Sequence, residues 1–213
     1  MGSPRGLHSL EHLASTGASH VAVVVTQYQT SINTTIIFPL FDASAVPPAY
    51  YVYKTERDDD VRAVVRKARQ LGLRVMLKPH VDPLTDNTPV GKTWRGDIGK
   101  FFNESQWDAW FASYGAMLLH YAAMAEELGV SMLSMNCELI TANLQASRWR
   151  ALVGRVRDVF SGLLTTAPNG HGHQLLVKWW DAVDVIGVDL YDFIGGETGG
   201  SRSPSAPCLP YSR

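Results

Sequence analysis

Stretches rich in β-branched and apolar residues alternate along this chain with stretches in which apolar residues recur every three or four positions. That order is the pattern of parallel strands joined by crossover helices. Five strands are predicted: His20 to Thr26, Leu73 to Pro79, Val130 to Asn136, Gly162 to Ala167 and Asp184 to Leu190. Four are near-continuous apolar runs, the composition of strands covered on both faces. Between them Val61, Val64, Val65, Ala68 and Leu71 mark a helix, with Thr55 and Asp58 as its start signal. A longer helix of about six turns carries Trp107, Trp110, Phe111, Tyr114, Leu118, Tyr121, Ala125 and Leu128 on one face, with Ser105 and Asp108 as cap and reciprocal partner. A third carries Trp149, Leu152, Val153, Val156 and Phe160. Short helices are expected over Leu7 to Ser15 and Gln174 to Val183.

The joints between these elements are unequal, and the inequality narrows the fold. Helix-to-strand joints are tight and carry Gly17, Gly72, Gly129 and Gly162, as left-handed helix ends require. Strand-to-helix joints are long, Gln27 to Thr55 and His80 to Glu104, and loops of that length are commonly functional. A β/α barrel gathers such loops at the C-terminal ends of its strands, where its active sites lie. A doubly wound open sheet is the rival, but no glycine-rich phosphate turn follows the first strand. The expected fold is α/β, a TIM barrel left incomplete, with about strands two to six over residues 1–194. Residues 195–213 are mostly Gly, Ser and Pro and are expected to form a disordered tail.

Composition limits the partners. The 213 residues are 46% hydrophobic and 18% charged, with 19 basic and 20 acidic side chains and a formal charge of −1. One domain is expected, with no basic footprint for nucleic acid and no stretch that spans a membrane. No secretory signal is visible at the start, and compartment and oligomeric state are left open. Cys137 and Cys208 suggest neither a disulfide framework nor a zinc pattern. Asn33 and Asn103 each begin a glycosylation triplet, a common chance occurrence.

Polar residues recur at the strand ends: Thr26, Gln27 and Tyr28; Lys78, His80 and Asp82; Asn136 and Glu138; Asn169; Asp189 and Tyr191. Glu138 follows an apolar run and precedes Leu139 and Ile140. A carboxyl in such surroundings holds its proton towards neutrality, as a general acid must. A glutamate exposed on a loop, or paired with arginine, has the same sequence signature. Trp107, Trp110, Trp149, Trp179 and Trp180 suit packing, whereas Trp94, beside Arg95 in a long loop, suits either a sugar platform or a loop anchor. His80, Asp82, Glu138 and Asp189 could be read as the metal site of a barrel hydrolase, but no second histidine stands at ligand spacing. His171 and His173 fall in a glycine-rich turn and are expected to be exposed.

Several ordered motifs, TGASHVAVVVTQYQ, LRVMLKPHVD, WRGDI, SRWRALVGRVRDVFSGLLTTAPN and VKWWDAVDVIGVDLYDF, together with the Glu138 segment, resemble glycoside hydrolase family 113 over about residues 7–194. These are barrel enzymes related to endo-β-1,4-mannanases, within the retaining glycosidases. The resemblance implies that Glu138 is the catalytic acid/base, at the end of the fourth barrel strand. It implies an oligo- or polysaccharide substrate of β-1,4-mannan type and no metal or organic cofactor. Lys78, His80, Trp94, Arg95, Asn169 and Tyr191 are expected to contact sugar hydroxyls or to orient carboxylates. The family usually has Gly-Thr where this chain has Asn136-Cys137. Its nucleophilic glutamate belongs on strand seven, which the resemblance does not locate here, so this chain is expected to be a fragment without turnover. The alternatives are a non-catalytic carbohydrate-binding or interaction protein and a metal-dependent barrel hydrolase.

Overall fold

The computed structural model describes residues 3–42, 54–84, 87–88, 91–92, 94–170 and 172–191. The tail expected over 195–213 lies outside them. Helix α1 (Pro4–Ser15) leads into β1 (His20–Gln29), followed by α2 (Asp58–Gln70), β2 (Arg74–Pro83), the small hairpin β3 (Asn87–Thr88) and β4 (Gly91–Lys92), and a 3-10 turn at Arg95–Asp97. Then come α3 (Glu104–Glu127), β5 (Met132–Cys137), α4 (Ala146–Arg157), β6 (Leu163–Ala167) and β7 (Val185–Ile186). Strands β1, β2, β5, β6 and β7 form one sheet in that order, every neighbouring pair parallel. Adjacent strands with an α-helix between each pair except the last, where two 3-10 turns stand between β6 and β7, make the β/α arrangement read from the sequence.

The core lies between sheet and helices. Val23, Val25, Val75, Leu77, Leu133 and Leu164 meet Val61, Val65, Trp110, Tyr114, Leu118 and Trp149 in one apolar cluster. Trp110 stacks on Tyr114, and Trp149 stacks on Trp179, with ring centroids 4.7 and 5.0 Å apart. Buried rings need partners for their polar atoms. Trp110 Nε1 donates to Gln29 Oε1, Trp149 Nε1 to the Ala142 carbonyl and the Tyr114 hydroxyl to the Met135 carbonyl. The packing roles expected of Trp107, Trp110, Trp149 and Trp179 hold.

Several local expectations need correction. Burial along β2 alternates strictly: Val75, Leu77, Pro79 and Val81 are buried, while Met76, Lys78, His80 and Asp82 are only part-buried. In β2 the near-continuous apolar composition thus does not mean cover on both faces, whereas β5 and β6 are buried on both faces along most of their length, as expected. Among the described residues β1 and β7 have no further strand beside them, although Tyr28 of β1 makes an isolated antiparallel bridge to Phe38, and the part-buried face of β2 stays partly open. The α3 cap is Asn103, whose Oδ1 accepts from Gln106 N while Gln106 Oε1 accepts from Asn103 N. Asn with Gln three residues on makes a complete capping box two residues earlier than the expected Ser105. Thr55 does not cap α2: its hydroxyl donates to the Thr26 carbonyl and accepts from Leu40 N, tying the long loop to β1. Three aspartates, Asp58 to Asp60, fill the first turn of α2 instead and suit its positive end. Residues Gln174 to Val183 form two 3-10 turns, His173–Leu176 and Trp180–Ala182, rather than one helix. His171 lies outside the described residues, and His173 is half-buried with its Nδ1 enclosed rather than exposed.

Candidate active site

Beyond Leu133 the inner end of β5 changes character. Ser134 and Asn136 are buried, and a register shift against β6 falls between Ser134 and Cys137. Asn136 Nδ2 donates to Asn143 Oδ1, and the Thr166 hydroxyl donates to Asn136 Oδ1. These bonds satisfy the buried amide and pin the strand end to its neighbours. Such an irregularity re-aims the side chains that follow it.

The residue so aimed is Glu138. It has φ +57°, which no other described non-glycine residue approaches, since all the rest have negative φ. Its backbone is locked by Glu138 N donating to the Ala167 carbonyl at 2.8 Å and Ile140 N donating to the Glu138 carbonyl at 3.0 Å. A left-handed glutamate costs energy and persists only where its surroundings over-determine it, a condition common at functional sites.

Around Glu138 lie two ion pairs bridged by a thiol. Lys78 Nζ, from β2, donates to both carboxylate oxygens of Asp189 at 2.8 Å each. Arg95, from the 3-10 turn, grips Asp82 in a fork, Nε to Oδ1 and Nη2 to Oδ2, both 2.8 Å. Arg95 Nη1 also donates to His80 Nδ1 at 2.7 Å and to Cys137 Sγ at 3.3 Å. The Cys137 thiol donates in turn to Asp189 Oδ2 at 3.3 Å. Because guanidinium only donates, His80 Nδ1 must accept, so the ring proton sits on Nε2. That Nε2 is enclosed with no acceptor among the described residues.

These neighbours set the protonation states. Burial pushes the Glu138 carboxyl up; Asp189 adds to the rise, against the pull of Arg95 and Lys78. Burial, then Arg95 and Lys78, press His80 down to about 3, so it is neutral at ordinary pH. Burial raises the Cys137 thiol to about 12, keeping it a hydrogen-bond donor. Burial opposes the Arg95 charge, yet the fork to Asp82 holds it above its ordinary value.

Of the sequence-stated candidates, Lys78, His80, Arg95 and Glu138 therefore meet in one cluster, with Asp82 and Asp189. Trp94 stands at its edge. Its indole packs over Gly96, where a Cβ would come within 2.7 Å of the ring, and it is 36% exposed. Thr141 donates to the Gly96 carbonyl from both its amide and its hydroxyl, stapling the Trp94 turn to the loop after Glu138. Asn169 bridges the Asp189 backbone across the ends of β6 and β7. Tyr191 is 83% exposed and makes no part of the hydrogen-bonded cluster. Cys137, which the sequence placed in neither a disulfide framework nor a zinc pattern, links the two ion pairs beside Glu138. Cys137, Glu138 and Asp189 lie close enough to share an ion, but Lys78 and Arg95 already supply the positive charge there, which disfavours a further cation. A separate apolar hollow of about 250 Å³ sits at the strand starts, lined by Ala22, Met76, Met132 and Leu163, at the far end from Glu138.

The model of the family described as Glycoside Hydrolase Family 113 matches residues 2–198. The chain belongs to glycoside hydrolase family 113. Among solved structures it is similar to a family 113 β-mannanase from Alicyclobacillus acidocaldarius in complex with ManMIm, at 32% identity and TM-score 0.72, covering 88% of this chain and 55% of that one. Two structures of family 113 β-1,4-mannanase match at 30% identity and TM-score 0.72, covering 87% of this chain and 56% of theirs. Fpglu1 from Fervidobacterium pennivoraus, at 12% identity and TM-score 0.53, shares the fold alone. No protein of curated function matches the chain. The chain thus spans little more than half the length of the family 113 structures it matches, and its five parallel strands with their helices are part of the family's TIM barrel. No described helix is long and apolar enough to cross a membrane.

Proposed function

We propose that this chain carries the acid/base centre of a retaining glycosidase acting on β-1,4-mannan-type polysaccharide, with Glu138 as the proton donor. The observation that carries the reading is Glu138 itself: left-handed, half-buried, its carboxyl pushed up by burial at the end of β5. Membership of family 113 and likeness to β-mannanases support the substrate class. Protonated Glu138 donates to the departing glycosidic oxygen while a second carboxylate attacks the anomeric carbon. Glu138 then takes a proton from the water that releases the sugar. Lys78 and Arg95 hold the neighbouring carboxylates, His80 orients Arg95 by accepting through Nδ1, and Trp94 offers an indole edge. Asn169 and Tyr191 are outer contacts at the neighbouring strand ends.

The attacking carboxylate in such enzymes stands roughly 5 Å from the acid. Among the described residues Asp189 comes near Glu138, its ligand oxygen within 4.8 Å of that of Glu138. Lys78 occupies both Asp189 oxygens, however, and leaves a weak nucleophile. The 213-residue chain is therefore expected to bind manno-oligosaccharides saturably in calorimetry and to release no reducing sugar from mannan. Absence of binding removes the reading. Turnover that disappears in Glu138→Gln keeps the acid/base and removes the expectation of silence.

A further inference from the structure

The ionic chain beside Glu138 is more elaborate than sugar binding requires. It runs from Asp82 through Arg95 and the Cys137 thiol to Asp189 and Lys78, crossing β2, β5 and the segment after β7. Glu138 lies against the Asp189 end, its ligand oxygen within 4.8 Å of the Asp189 ligand oxygen. Lys78 and Asp189 are both largely enclosed, with side-chain exposures of 11% and 17%. Charges at that range and enclosure act on one another far more strongly than across bulk water.

We propose that Asp189 and Lys78 are an opposed pair of positioning residues that set when Glu138 carries its proton, Asp189 favouring the acid form and Lys78 the carboxylate. The Cys137 thiol fixes the geometry of the pair by donating to Asp189 Oδ2 while accepting from Arg95. The proposal rests on Glu138 being the acid/base of the preceding reading, and it deepens that reading by naming what tunes the acid. The groups facing Glu138 from the elements around it are Lys78, His80 and Asp82 on β2, Arg95 on the 3-10 turn, Cys137 on β5 and Asp189 after β7. Arg95 is the strongest of the surrounding charges acting on Glu138 and favours its carboxylate, its fork partner Asp82 offsetting only part of that pull, while His80 is uncharged at ordinary pH. With Arg95 held in its fork, the balance left to vary is the one between Asp189 and Lys78.

A neutral pair would leave Glu138 unaffected at long range, but the two charges do not sit equally. Lys78 binds both Asp189 oxygens, so either charge is exposed to Glu138 once its partner is removed. Removing Asp189 deletes a negative neighbour and frees a positive one, and both changes favour ionised Glu138. Removing Lys78 does the reverse.

The test is a carboxyl-carbon NMR titration of Glu138 in the full 213-residue chain and in Asp189→Asn, Lys78→Met and the double variant, with amide spectra confirming the fold. In Asp189→Asn the Glu138 midpoint should fall by about one pH unit, a tenfold loss of proton affinity. In Lys78→Met it should rise by a similar amount, and the double variant should lie between the two. A structural loosening would move both single variants the same way, towards the ordinary glutamate value. Midpoints that stay put, or that move in one direction in both, overturn the proposal. Should Asp189→Asn fail to fold, Lys78→Met decides alone: a rise supports the proposal and anything else overturns it. Loss of manno-oligosaccharide binding would remove the functional reading while leaving these titrations standing. Unmoved titrations with binding intact would overturn only the tuning.

Discussion

At Glu138 the backbone and the side chain pull against each other energetically. The φ of +57° would suit glycine, and the half-buried carboxyl is held in an environment that resists its charge. Glu138→Gly and Glu138→Gln remove the same charge but differ in backbone freedom. The glycine variant should be the more stable of the two by about 1 kcal/mol, read from urea unfolding midpoints, because it relieves the left-handed strain. Equal midpoints would mean that the conformation is not strained in solution. The position of Glu138 at a strand end was legible in the sequence, as an acidic residue directly after an apolar run, while its proposed role came from the family resemblance. Its strain was not, since φ is fixed by the shift between β5 and β6 and by the Ala167 bond, both of which involve residues far along the chain. The bridging role of Cys137 was not legible for a related reason: a thiol becomes informative only once Arg95 and Asp189 are seen on either side of it.

Among the elements, the helices show where periodicity suffices and where it does not. The buried face of α3 follows the aromatic spacing, because a stripe that repeats every three or four residues has one way to be buried. Its start was misplaced by two residues, since Asn103-Gln106 and Ser105-Asp108 are both plausible cap pairs. Asn103→Ala should cost about 1 kcal/mol and Ser105→Ala less than half of that, measured by thermal unfolding. The reverse order would return the cap to Ser105. The strands were legible to within a few residues because β-branched runs bounded by glycine have few other uses. The stretch Gln174 to Val183 was not, because Trp179 is drawn into the stack on Trp149 and breaks the helical path. The hairpin β3–β4 had no signal in the periodicity, with strands of only two residues each.

For the molecule as a whole, acid is the most informative perturbation. His80 is held at about 3 in the fold, against an ordinary value of 6.5. Between those values the unfolded chain binds a proton that the folded chain does not. Stability is therefore retained above pH 6.5 and lost as pH falls towards 3, by on the order of a few kcal/mol from this group. Unfolding midpoints taken at intervals from pH 7 to pH 4 should fall more steeply for the parent chain than for His80→Gln. Parallel curves would mean that His80 is not held neutral. The β/α order and the parallel sheet were readable from alternation alone, whereas the partly open face of β2 was not. Composition records which residues are apolar, and cover depends on which neighbours arrive.

The bridged ion pairs also constrain how this region can change by mutation. Asp82, Arg95, Cys137, Asp189 and Lys78 come from separated positions, yet each satisfies the next. Removing one enclosed charge strands its partner, whereas removing both together can be close to neutral. A lineage drifting through this region would therefore tend to change Asp82 with Arg95, or Lys78 with Asp189, and seldom either member alone. Inheritance would act on pairs, giving positions more than a hundred residues apart a shared history.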